Sequence, residues 1–507
     1  MTSRRLATAS FVLALLLAAV PPATAGKADD TLRWASDLEI KVMDRYYDTS
    51  REGLILAHHI WDTLLFRDPA TGEYKPLLAK SFRWVNDLTL EFELREGIRF
   101  HNGEKLDADD VVFSVNFVIN PEHKIPTSSD YNWMKGAEKL GDYKVRIHLA
   151  APFAPAFEYL SGPLTIYPNE YYAKVGPKGM GVKPVGTGPY RVTRVEAGSA
   201  VHLEINKDYF ADSPKGKPSI GKIVYRSIPD GSTRLAELRA GGLDWIWRVP
   251  VDDAQKLAAE GKFQTKVGEI MRIGYVGFDA ANRTGKNHPF TKLKVRQAVA
   301  HAIDREAMAR NLVKGESRVV HAACYPGQFG CTEEVARYAY DPAKAKALLA
   351  EAGYPQGFET DIYAYRERPY AEAIIGYLRA AGIKANLVWN TYPVLRDKNH
   401  AGKTELYFMA WGSSSIWDVS AITSHFFRGE DADLARDPQV IAWLKAGDTS
   451  TSAAGRKENY AKALQRIAEQ AYWVPLFTYV MNYAYAKELD FTPSPDETPL
   501  FFRAKWK

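Results

Sequence analysis

The chain has 507 residues, with 66 Lys and Arg against 61 Asp and Glu, a formal charge of +5, and 12% aromatic residues. That length exceeds what one hydrophobic core usually serves, so two or three domains are expected. The basic residues are scattered rather than blocked, which excludes a phosphate-tracking surface and with it nucleic acid as a partner.

In chain order, Arg4-Arg5, the apolar run 6–20 and Ala23-Thr24-Ala25 form a basic region, a hydrophobic region and a small-residue cleavage site. Together they read as a secretory signal peptide over residues 1–25, too short in its apolar run to span a bilayer. The residue after the cleavage site is Gly26 rather than Cys, so no lipid anchor is expected and the mature chain should be secreted. Leu88, Leu90, Phe92 and Leu94 alternate with Thr89, Glu91 and Glu93, the period of a half-buried strand. Gly97 and Asn102-Gly103 turn the chain, with His101 a turn residue. Asp107 then caps a helix whose buried face is expected to be Val111, Val112, Val115 and Val118.

Val145, Ile147 and Leu149 mark a further strand. Pro184-Val185-Gly186-Thr187-Gly188-Pro189-Tyr190 is a structural turn rather than a phosphate cradle, since no Lys-Ser/Thr pair completes it. Residues 201–205 read as a strand and 234–242 as a short helix closed by Gly241-Gly242. Thr291 is expected to cap a helix burying Val295, Val299, Ala302 and Ile303; Asp341 and Pro342 open another that stops at Gly353. A helix over 454–471 precedes an aromatic strand over 474–485. The alternation throughout gives a mixed α/β class.

Cys324 and Cys331, the only cysteines, flank a Pro-Gly turn. In an oxidising compartment they are expected to form a local disulfide; a metal site would need partners that His321 alone does not supply. Three functions remain open: a solute receptor serving uptake, a secreted hydrolase such as a glycosidase or peptidase, and a binding protein used for sensing rather than uptake. The serine-elbow, zinc-protease and phosphate-loop patterns are absent, which counts against the second.

The wording of residues 78–115, from Leu78-Ala79-Lys80-Ser81-Phe82 through Leu94-Arg95-Glu96-Gly97-Ile98-Arg99-Phe100-His101-Asn102-Gly103 to Asp109-Asp110-Val111-Val112-Phe113-Ser114, resembles the signature of family 5 extracellular solute-binding proteins. These are the periplasmic dipeptide, oligopeptide and nickel binders of ABC importers. Later segments, among them 184–192, 205–210, 238–245 and 341–354, resemble the family in the same order, so the likeness spans close to the whole mature chain.

The resemblance implies a two-lobed periplasmic binding protein fold (class II, cluster C-like). Lobe I would comprise 27–66, 185–275 and 478–507, an extra domain 67–184, and lobe II 276–477. Hinge strands would lie near 270–278 and 474–482. It implies a monomer that binds a small-molecule solute between the lobes and delivers it to an ABC permease and ATPase complex, with no enzymatic activity and no cofactor.

Peptide-binding members are expected to carry an acid three residues after a lobe II Trp, to pair with the peptide ammonium. Here Trp411, Gly412 and Ser413 lead to Ser414 instead, and Asp418 comes later. The solute expected is a peptide or peptide-like molecule, with opine, sugar phosphate, oligosaccharide or a metal chelate as alternatives. Arg366 and Arg368 are candidates to clamp an anionic group, or else pair with Glu367 or face solvent. Tyr479, Asn482 and Trp34 are further cleft candidates with ordinary strand packing as the alternative.

Overall fold

The computed structural model describes residues 26–507 other than Lys41; the expected signal peptide lies outside the described residues. No helix among the described residues is long and apolar enough to cross a membrane.

Ten strands form one mixed sheet that runs through both lobes. In spatial order they are Ile383–Trp389, Phe358–Ala364, Leu406–Trp411, Phe263–Phe278, Trp473–Ala486, Trp245–Trp247, Thr31–Ser36, Lys222–Ser227, Ala200–Ile205 and Tyr190–Glu196. The first three lie to one side of two long strands, a side called lobe II here, and the last five to the other, called lobe I. The two long strands between them, antiparallel to each other, cross from one lobe to the other. Their register holds from Phe263↔Ala486 to Ile270↔Tyr479, then slips and resumes at Ile273↔Thr478. Met271 and Arg272 fall in the slip, where the Met271 amide donates instead to the Pro495 carbonyl at 2.6 Å. The C-terminal segment thus reaches back onto the crossing point.

Between the first strand and the rest of lobe I, the chain builds a separate antiparallel sheet, in order Ala79–Asn86, Thr89–Leu94, Lys144–Leu149 and Met134–Gly141. The helix Ala108–Ile119 packs on it, with Asp107 and Asp110 forming a reciprocal capping box. Its buried face is Val111, Ser114, Val115 and Val118, a strict i, i+3, i+4, i+7 stripe, so Val112 is turned partly out. Strand alternation also departs from expectation. Leu88 lies in the turn and is exposed, whereas Glu91 is buried and paired with Arg83, Lys144 and Arg146.

Thr291 closes a short turn, its hydroxyl donating to His288 O at 3.0 Å, and the helix Leu293–Ala302 starts two residues later without a side-chain cap. Gly186 and Gly188 lie against the backbone of Ile60: a Cβ on either would come within 2.1 and 2.5 Å of a main-chain oxygen, so only glycine fits. Lobe II has a second core around Tyr275, stacked on Trp473 at 3.5 Å. Cys324 and Cys331 form a disulfide with Cα atoms 5.8 Å apart.

Candidate functional site

The strand Leu406–Trp411 pairs with the crossing strand so that Trp411 lies opposite Ile273, beside the register slip. Gly412 follows where the backbone must pass close to that slip; a Cβ there would meet Arg272 Nη2 at 3.0 Å. Ser413, Ser414 and Ser415 then adopt φ values of 50°, 49° and 67°, three consecutive left-handed residues. For L-residues this costs roughly 1–2 kcal/mol each, so the turn persists only because its ends are fixed, and such strain concentrates at functional sites.

Contacts to the opposite lobe supply that fixing. Ser415 Oγ donates to Asp496 O at 2.7 Å and accepts from Arg51, which opens the lobe I helix Arg51–Ile60; Arg51 Nη1 also donates to Asp496 O at 3.2 Å. Trp417 N donates to Glu158 Oε2 at 3.1 Å, and Arg67, paired with Glu158 at 3.2 Å, lies 4.6 Å over the Trp417 ring. Burial raises the Glu158 carboxyl against the pull of Arg67. The segment 412–418 therefore spans the gap from lobe II to both lobe I and the four-stranded sheet region.

From behind, the disulfide-closed loop holds the same segment. Gln328 Nε2 donates to Ile416 O at 2.9 Å and Asp418 O at 3.2 Å, and Phe329 N donates to Trp417 O at 2.7 Å. Asp418 is buried and turned inward, its Oδ2 on Arg456 at 2.7 Å and its Oδ1 accepting from Ser420 N and Oγ.

Between the bridging segment and lobe I lies a cavity of about 250 Å³, bordered by Arg45, Arg51, Arg272, Thr127, Asp130 and Ser414. A smaller chamber of about 70 Å³ adjoins it, bordered by Arg45, His58, Arg67, Glu158, Ser415 and Trp417. Arg272 is tied to Glu497 at 3.0 Å; burial would raise that carboxyl, but Arg272 and Arg51 outweigh it and hold it below its ordinary range. Asp130 is pushed up by burial despite the attraction of Arg45. The cavity is thus polar, with three guanidinium groups on its walls.

Of the residues singled out from sequence, Ser414 borders this cavity, and Gly412 and Ser413 form the backbone that presents it. Trp411 stands at the base of the turn: its indole lies flat on His425 at 4.8 Å and donates to Ala421 O at 3.0 Å. Arg366 pairs with Glu367 at 2.6 Å beside the Tyr479 ring, and Tyr479 OH donates to the same carboxylate at 3.1 Å, so these two form a closed set apart from the cavity. Arg368 is on the surface, paired with Glu372 one turn on at 2.8 Å. Asn482 is buried and donates to Val249 O at 3.0 Å. Trp34 is fully enclosed against Tyr225, Trp245, Trp247 and Phe501, a core residue because its strand lies inside the sheet. Asp418, Arg368, Asn482 and Trp34 therefore do not border the cavity: each is committed to protein partners or packing elsewhere.

Arg45, Arg51, Arg272, Thr127 and Asp130 were not among the sequence candidates, because distant segments bring them together. One signal was available: Arg51 occupies the first turn of a helix, where the helix dipole disfavours a cation.

The family model for bacterial extracellular solute-binding proteins, family 5 Middle, matches residues 73–433. The chain is similar to heme-binding protein A of Haemophilus influenzae, 28% identical over 83% of this chain and 82% of that protein. It is also similar to probable di/tripeptide-binding protein 5 of Pseudomonas aeruginosa, 27% identical over 93% of this chain and 94% of that protein. Among solved structures, the PBP AgaA from A.tumefacien R10 in complex with agropinic acid superposes with a TM-score of 0.77 at 25% identity, covering 94% of this chain and 99% of that one.

Proposed function

Because the chain belongs to the bacterial extracellular solute-binding proteins of family 5, we propose that it captures a small polar solute in the cavity beside Ser414 and delivers it to an ABC permease. The observation that carries this is the position of the cavity: its walls come from both lobes, and the segment 412–418 closes over it from lobe II onto Arg51, Asp496 and Glu158. A solute seated there touches both lobes at once, so its binding favours the closed form and presents one closed surface to a permease.

The protein acts as a binder rather than an enzyme, in keeping with a family made up of binding proteins. The expected leader at 1–25 directs it to the periplasm, where the Cys324–Cys331 disulfide is stable. Within this reading the lobes divide at the boundaries implied by the resemblance, with 67–184 as the extra domain. Relatives named for di- and tripeptides or solved with agropinic acid support a small solute with carboxylate or amide groups.

Native mass spectrometry of freshly purified protein tests the reading. A co-purified or titrated small molecule should bind one per chain and reduce the radius of gyration in solution scattering. A bound molecule that leaves the scattering profile unchanged and is insensitive to Ser415→Trp, which would crowd the interlobe contact, counts against the assignment.

A further inference from the structure

Five lysine and arginine side chains are buried among the described residues: Arg45, Lys215, Arg296, Arg305 and Arg456. Four are matched by protein. Lys215 meets Asp62 at 2.7 Å, and Arg456 meets Asp418 at 2.7 Å. Arg296 donates to the carbonyls of Phe290, Thr291 and Gln470, and Arg305 to those of Pro475 and Tyr338. Arg45 is the exception. It is 8% exposed, its Nε meets no hydrogen-bond partner, and among the described residues its guanidinium enters no ion pair.

Asp44, Asp48 and Asp130 attract it from beyond ion-pair distance, and burial pushes all three carboxyls towards the neutral form. A buried charge with no carboxylate in direct contact is unfavourable, and this one borders both chambers between the lobes. A second enclosed polar group on the same wall, Thr127 Oγ1, also lacks a partner. Arg51, also on the lining, makes hydrogen bonds only to a hydroxyl and a carbonyl, with Glu497, Asp496 and Glu52 attracting it from farther off.

We propose that the Arg45 end of the cavity is an oxyanion subsite that holds a carboxylate or phosphoryl group of the solute. The inference rests on the reading of this cavity as the solute site and adds the class of solute. A planar guanidinium is suited to a forked pair with two oxygens of such a group, and Thr127 can donate to a third. Ser414, on the opposite wall, supplies hydroxyl contacts but no charge. An ammonium group against the Arg45 guanidinium would meet like charge, and the acid of the lining, Asp130, is pushed towards its neutral form by burial, so a peptide entering with its free amine there is disfavoured. At about 250 Å³ the cavity is below the roughly 300–1,000 Å³ of drug-sized pockets, which fits a small acid.

The test melts the mature chain in sodium chloride, sodium phosphate and sodium malonate at matched ionic strength and pH, for wild type and Arg45→Gln. Phosphate or malonate at millimolar concentration is expected to raise the wild-type Tm above that in chloride by mass action. A response to phosphate alone assigns a phosphoryl group; one to malonate alone assigns a carboxylate. In Arg45→Gln the anion response should weaken roughly tenfold or more in midpoint concentration, while the Tm in chloride stays level or rises because an uncompensated charge is gone. Arg45→Lys, which keeps the charge without the fork, should retain part of the response and serves if Arg45→Gln does not fold. Equal wild-type Tm in all three salts, or an undiminished response in Arg45→Gln, overturns the subsite. Native mass spectrometry separates the two readings: a neutral co-purified solute held with equal affinity by both variants sinks the oxyanion subsite and leaves solute capture standing.

Discussion

Cutting the Cys324–Cys331 link should loosen a segment to which neither cysteine belongs. The bridge closes a loop with a sequence separation of 7, and for a loop of that size the chain-entropy relation gives about 2.4 kcal/mol at 25 °C. That loop carries Gln328 and Phe329, which hold Ile416, Trp417 and Asp418 by three hydrogen bonds and accept a fourth from Val419 N to Phe329 O at 3.0 Å. Releasing the loop should therefore lower the opening free energy of residues 416–419 by up to the same amount, a rise of roughly 50-fold in the open population. Cys324→Ser/Cys331→Ser is the perturbation. Hydrogen–deuterium exchange of peptides covering 325–331 and 414–420 is the assay, with solute affinity expected to fall alongside. Exchange at Phe329 and Val419 within about threefold of wild type would show that the serine turn holds itself and that the disulfide loop does not position it.

Asp418→Asn should destabilise lobe II by about 3–5 kcal/mol, because Arg456 is left buried without its carboxylate; Arg368→Ala, on the surface, should stay within about 0.5 kcal/mol, and urea midpoints compare the two. Ser414→Gly removes a left-handed penalty at φ 49° and should stabilise by about 1 kcal/mol, read as a higher Tm of the ligand-free protein. His101 accepts from Gly186 N at 3.3 Å and bonds Gly188 O through Nε2 at 3.0 Å, which requires the neutral ring, and burial lowers its pKa to about 4. Its contribution to stability is complete above the unfolded value of about 6.5 and is lost as pH falls towards 4. His101→Gln should flatten the dependence of the urea midpoint on pH in that window, and a slope identical to wild type would refute the neutral-ring assignment.

Much of the fold was legible because it rests on local rules. Asp107, Asp341 and the stop at Gly353 declare their helices through capping chemistry that needs no tertiary partner. The misreadings of Val112 and Leu88 arise where local period and tertiary cover part company. Val112 lies one position off a stripe completed by Ser114, and Leu88 belongs to a turn whose amide Asn86 already holds. The site was legible only in its lobe II half. The departure at Ser414 drew attention to a turn that borders the cavity, but Trp34, Asn482 and Asp418 are polar or aromatic groups that the interior absorbs, and sequence cannot distinguish an absorbed group from a presented one. Arg45 shows the converse. Asp44 and Asp48 flank it in the chain, and nothing in that wording announces that neither comes within ion-pair distance of the buried guanidinium.

The slip between Ile270 and Ile273 bears on how stiff the protein is. One sheet joins both lobes, so a uniform ladder would act as a continuous plate and resist bending along its whole length. With two residues released from pairing there, and a second register shift between Gly274 and Tyr275, the ladder is interrupted over a short stretch, where bending is expected to concentrate as a crease. The elastic cost of bringing the lobes together is then small. The contacts that tie the halves together, Ser415 to Asp496 and Trp417 to Glu158, start beside this crease, since Pro495 accepts from Met271 N and Gly412 lies against Arg272. Any solute-driven closure would thus bend the sheet at the same place where the lobes are latched, and a substitution in the serine turn should be felt in both.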